Sequence, residues 1–93
     1  MLEAGMPRWS VYILRCSDNS LYTGIAIDVA ARVASHNMGK GAKYTRAHLP
    51  VKLVWSEAAK SPRAARMREA EIKKWPKIKK ETQKSARHAL RVF

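Results

Sequence analysis

Two tyrosines, Tyr12 and Tyr22, stand ten residues apart; Arg32 follows after ten more, and His36 four later. These residue types suit an ester of phosphoric acid. A guanidinium presents a planar fork of donors that matches phosphate oxygens. An imidazole changes charge near neutral pH and can pass a proton. A phenol donates and accepts, but its reference pKa of ~10 makes the neutral form a poor base. Breaking a phosphodiester needs a group that orients or deprotonates water, charge that offsets the pentacoordinate transition state, and support for the leaving oxygen. Phenol, imidazole and guanidinium can meet the first two needs if they share one surface.

The elements that must bring them together follow from local patterning. Residues 10–16 (SVYILRC) and 21–27 (LYTGIAI) are rich in β-branched, aromatic and aliphatic side chains and read as two strands. The cluster SDNS between them is a turn, so the pair forms a β-hairpin. Loop length decides the faces. An even loop sets Tyr12 and Tyr22 on opposite faces. An odd loop pairs Tyr12 with Gly24 and Leu14 with Tyr22, puts both phenols on one face, and leaves room beside the Tyr12 ring. Asn19 tolerates the left-handed backbone that an odd, bulged loop requires, so the odd loop is expected. Asp28 is a good N-cap for a helix over 29–38, with Gly39 at its stop. On that helix Arg32 and His36 share a face, and Val29 and Val33 form an adjoining apolar stripe.

Residues 39–48 (GKGAKYTRAH) are basic and glycine-bearing but lack the spacing of a phosphate-binding P-loop. They read either as a solvated loop or as backbone that approaches a phosphate. A third strand is expected over 51–56 (VKLVWS). Ser61-Pro62 opens a helix running to about residue 75, with Ala64, Ala65, Ile72 and Trp75 facing the core. Pro76 ends it and can start a short basic helix, PKIKKETQK. Leu90, Val92 and Phe93 suggest a packed tail. Trp9, Trp55 and Trp75 read as core or edge packing, and His48 and His88 as surface residues.

Ninety-three residues support one domain. An apolar fraction of 46% is that of a folded protein. Nineteen Lys and Arg against seven Asp and Glu give a net charge of +12, which calls for an anionic partner, nucleic acid ahead of an acidic lipid surface. A structural ribosome-associated protein would carry similar charge. No apolar run approaches the ~18 residues of a membrane helix, so no membrane partner is expected. The first residues lack the pattern of a signal peptide. The single cysteine, Cys16, builds neither a disulfide nor a thiolate zinc site, which makes a cytoplasmic setting the default. Residues 1–7 are expected to be a tail, 8–84 the domain, and 85–93 a tail or short helix.

Ser10-Val11-Tyr12 followed by Tyr22-Thr23-Gly24 resembles the paired motif that names the GIY-YIG nuclease superfamily, with Ser10 and Val11 replacing Gly and Ile. Arg32 falls where that family has its helix arginine, and His36 where it has histidine or tyrosine. The runs GKGAKYTR and EAEIKKW are similar to its small stand-alone branch of predicted endonucleases. The resemblance covers residues 8–83. It implies an α+β fold, a three-stranded antiparallel sheet with the first strand central and helices flanking it. It implies metal-dependent endonuclease activity on DNA, with Tyr12, Tyr22, Gly24, Arg32 and His36 at the catalytic centre. Tyr12 would orient the attacking water or take its proton, Tyr22 would bond phosphate or water, and His36 would assist proton transfer or touch the phosphate.

The resemblance also implies one Mg²⁺ or Mn²⁺ held by Glu69. Helical geometry sets Glu69 and Glu71 on opposite flanks of the apolar stripe and does not choose between them; an i,i+4 pair of Glu69 with Lys73 is the plain alternative. Lys40, Lys43, Arg46 and Lys73 are the candidate nucleic-acid contacts. Many members carry a lysine just after the second motif where this chain has Ile25, and Lys40 or Lys43 is the available substitute. An asparagine that some members carry near the domain's end is missing. So small a domain leaves little surface for reading bases. Low sequence specificity is therefore expected, with branched, nicked or single-stranded DNA as the substrate and a monomer as the working form. The competing expectation is a nucleic-acid-binding module that uses the same basic face without cutting.

Overall fold

The computed structural model describes residues 8–81. The expected tails at 1–7 and 85–93, the helix beyond 81, His88, and the packing of Leu90, Val92 and Phe93 lie outside the described residues. Strand β1 (Ser10–Arg15) pairs antiparallel with β2 (Leu21–Ala26) on one side and β3 (Lys52–Ala58) on the other, in the order β2-β1-β3. Helix α1 (Val29–Asn37) follows β2, a one-turn helix α2 (Lys43–Arg46) follows α1, and α3 (Pro62–Lys73) follows β3. Residues 77–81 are again helical. No helix among the described residues is long and apolar enough to cross a membrane.

The hairpin takes the odd register. Tyr12 pairs with Gly24 and Leu14 with Tyr22. Asn19 has φ 72°, and its N–H donates to the Cys16 carbonyl at 2.9 Å, which closes the turn. Alternation then divides the sheet into two apolar faces. Val11 and Ile13 pack with Trp55 and with Ala65 and Ile72 of α3; Trp9 and Trp75 lie against this cluster. Tyr12, Leu14 and Ala26 pack with Val51 and with Val29 and Val33 of α1. The sheet is therefore the middle layer, with α1 on the face that carries both tyrosines and α3 on the other.

Both long helices begin as their sequences dictate. Asp28 Oδ1 accepts from the Ala31 N–H at 3.0 Å, and Ser61 Oγ accepts from the Ala64 N–H at 3.0 Å with Pro62 behind it. Each such cap stabilises a helix by ~1 kcal/mol. Gly39, at φ 80°, turns the chain after α1. Asn37 then ties the end of α1 to the start of β3: its amide donates to the Val51 carbonyl at 3.0 Å and its oxygen accepts from the Val51 N–H at 2.7 Å.

Several boundaries differ from expectation. Helix α1 ends one residue early and α3 stops at Lys73, because a tight turn through Lys74 and Trp75 precedes Pro76. Strand β3 begins and ends later than 51–56, because Asn37 engages Val51 and the pairing with β1 continues to Ala58. Residues 39–48 are more than a solvated loop: they contain α2, which buries Thr45 completely. His48 is not a free surface residue either. Its ring lies 4.6 Å from that of Tyr44, and its Nδ1 is 3.3 Å from Asp18 Oδ2.

Candidate active site

Tyr12 enters from the central strand and is 1% exposed. Its ring occupies the space above Gly24, where any Cβ would come within 2.6 Å of the phenol oxygen. The role of Gly24 is therefore to supply room; it brings no reacting group of its own. The Tyr12 hydroxyl lies 3.0 Å from His36 Nε2, and His36 is likewise 1% exposed. Both nitrogens of His36 have partners within the protein, Tyr12 at Nε2 and Thr45 at Nδ1, so the imidazole is linked to the phenol. The Tyr22 ring meets the His36 ring edge-on, with centroids 5.5 Å apart, and stacks on Tyr44.

The far side of the imidazole fixes which nitrogen carries the proton. His36 Nδ1 lies 2.8 Å from Thr45 Oγ1, and the Thr45 hydroxyl donates to the Ala42 carbonyl at 2.9 Å. A hydroxyl has one proton to give. With that proton on Ala42, the Thr45 oxygen can only accept from His36, so Nδ1 carries the hydrogen. Neutral His36 then presents a lone pair at Nε2, and the Tyr12 hydroxyl donates to it. Gly41 closes the ring's remaining side, since a Cβ there would collide with Nδ1, Cε1 and Cγ of His36.

Electrostatics favours this neutral pair at rest. Burial holds the His36 pKa below its ordinary value, and the Arg32 charge adds to the effect. Burial pushes the Tyr12 phenol above its usual range, and Tyr22 pushes the same way; Arg32 opposes both by its charge and by hydrogen bonding to the phenol, while Glu69 raises the value further. Arg32 itself is exposed on α1, and its guanidinium reaches the Tyr12 phenol. Glu69 is close enough for its charge to act on Tyr12, although α3 packs on the other face of the sheet.

The structure distinguishes the two α3 carboxylates where helical spacing could not. Glu71 is 59% exposed and engaged by Arg68 at 2.9 Å. Glu69 is 22% exposed and paired with Lys73 at 3.2 Å. Among the described residues no group of three or more His, Cys, Asp or Glu side chains could enclose an ion. A single half-buried carboxylate would suit a hard divalent cation, which keeps several of its waters. Lys40, Lys43 and Arg46 are exposed on the segment that delivers Thr45. Tyr22, Arg32 and His36 thus gather around the Tyr12 phenol, with the Glu69 charge acting on it and Gly24 beneath it. Thr45, Gly41 and Tyr44 belong to the surroundings of the site and were not foreseen. The KGAKYTR run was their signal, but nothing in its composition says that one threonine turns inward.

A family model described as the GIY-YIG catalytic domain matches residues 8–83. The chain belongs to the GIY-YIG family. A UPF0213 protein of Staphylococcus haemolyticus is 51% identical over 75 residues, covering 81% of this chain and 92% of that protein. A UPF0213 protein of Streptococcus agalactiae is 57% identical over 63 residues, covering 68% of this chain and 72% of that protein. The solution NMR structure of a UPF0213 protein from Bacillus halodurans is 44% identical, with a TM-score of 0.54 over 87% of this chain and 85% of that one. The α+β architecture and the central first strand agree with this placement among small stand-alone GIY-YIG domains. A GIY-YIG domain implies nuclease activity in general, and with it a nucleic-acid substrate and a divalent metal ion.

Proposed function

We propose that this GIY-YIG domain is an endonuclease that hydrolyses DNA phosphodiesters with low sequence specificity, using one Mg²⁺ or Mn²⁺ at Glu69. The observation that carries the reading is the Tyr12–His36 hydrogen bond of 3.0 Å, whose far end is anchored so that the proton can move only one way. Water attacks phosphorus as its proton passes to the Tyr12 oxygen and the Tyr12 proton passes to His36 Nε2. Because both partners are neutral at rest, the two transfers occur together and no free phenolate has to form first. Arg32 donates its fork to the non-bridging oxygens. Tyr22 bonds the phosphate or the water. Glu69 would hold the divalent ion once Lys73 had moved aside, and the ion would supply positive charge for the phosphoryl and leaving oxygens.

Low specificity follows from contacts of the kind Lys40, Lys43, Arg46 and Lys73 can make, which grip phosphates and carry no sequence information. A branched, nicked or single-stranded form of DNA is the substrate this small surface suits. A second reading, a binding module that does not cut, draws on the Glu69–Lys73 pair, which occupies the carboxylate as matters stand. Cleavage of duplex, nicked, branched and single-stranded DNA in Mg²⁺, in Mn²⁺ and in chelator separates the two. The enzyme reading expects turnover that stops with chelator and with Glu69→Gln. Binding without turnover under every condition would leave the second reading standing.

A further inference from the structure

Resting on that reading of the site, we infer that Thr45 is a positioning residue: it sets the tautomer of His36 and thereby the direction in which the Tyr12 proton moves. Thr45 is 0% exposed and sits on the one-turn helix α2, nine residues beyond His36. Its side chain bridges two groups. It gives its proton to the Ala42 carbonyl at 2.9 Å and offers an oxygen lone pair to His36 Nδ1 at 2.8 Å. Among the described residues the hydrogen-bonding partners of the imidazole are Tyr12 and Thr45. The ring cannot turn to find others, because Gly41 packs directly on it.

The consequence is directional. With Nδ1 holding its hydrogen against Thr45, Nε2 is an acceptor and Tyr12 can surrender its proton. Without the Thr45 oxygen, a buried Nδ1–H has no partner, which is costly. The imidazole then places its hydrogen on Nε2 and donates to Tyr12, and the phenol proton has no acceptor. Thr45→Val keeps the shape and removes the oxygen; Thr45→Ser keeps the oxygen.

The test uses the full chain labelled with ¹⁵N at histidine. His36 is assigned by comparison with His36→Gln, and spectra are recorded where the imidazole is neutral. The wild type and Thr45→Ser are expected to show the hydrogen on Nδ1, and Thr45→Val to show it on Nε2. Thr45→Ala is the second probe if valine does not fit, with the same reversal expected. In cleavage assays Thr45→Val should lower kcat ~10²-fold, the low end for general acid–base catalysis, with KM little changed. A hydrogen on Nε2 in the wild type, or on Nδ1 in Thr45→Val and Thr45→Ala, would overturn the assignment. If the wild type cut no DNA, the endonuclease reading would fail, while the spectra would still decide the part played by Thr45.

Discussion

In the proposed mechanism His36 takes the phenol proton, and its burial has a measurable consequence. In the unfolded chain it protonates near pH 6.5, whereas in the fold burial, and then Arg32, hold its pKa lower. Between those values the unfolded chain binds the extra proton, so acid favours unfolding. The contribution is fully present above about pH 6.5 and is lost as pH falls through the folded value. Denaturant midpoints for the wild type should therefore decline from pH 7 to pH 5, and His36→Gln should remove that part of the slope. Equal slopes for the two proteins would mean that His36 is not held neutral. Among single residues, hairpin register and the i,i+4 rule put Tyr12 with Tyr22, and Arg32 with His36, on shared faces, while the resemblance to the GIY-YIG motif singled the four out. Thr45 was not legible, since a threonine in a basic segment carries no mark of whether its hydroxyl faces water or a ring. Glu69 and Glu71 were equivalent until packing left one half-buried and the other exposed.

At the scale of elements, the site depends on backbone lying close to two rings. Gly24 on β2 underlies Tyr12, and Gly41 between α1 and α2 lies against His36. Both rings are buried and tied to each other, so neither can yield cheaply. Gly24→Ala and Gly41→Ala should each lower stability by ~1–3 kcal/mol, the usual cost of overpacking, and should depress cleavage further by moving the phenol from the imidazole. Chemical denaturation and cleavage rates check both; wild-type stability and rate in either variant would show that the ring beside it is free to shift. The strands, the long helices and their caps were legible because strand alternation, Asp28, Ser61-Pro62 and Gly39 are local signals. Helix α2 was not, because four residues are too few to show a helical period, and its one buried side chain answers to a partner on α1.

Across the whole molecule a charge of +12 sets the terms of association. Binding to DNA should weaken steeply as salt rises, since each phosphate neutralised releases counterion. Replacing Lys40, Lys43 and Arg46 by alanine should flatten the slope of log K against log salt by about one for each side chain that touches a phosphate. An unchanged slope would place the bound strand on another face. The contact between Arg15 and Glu81, with one pair at 3.0 Å, joins the central strand to the helical turn beyond α3, a link that no local pattern announces.

Single-turnover DNA cleavage in Mg²⁺ by Tyr12→Phe asks whether the Tyr12 oxygen receives the proton of the attacking water. The ring and its packing remain and only the oxygen is lost. The rate should fall ~10²–10⁴-fold with DNA affinity retained; cleavage at the wild-type rate would mean that the water gives its proton to another group.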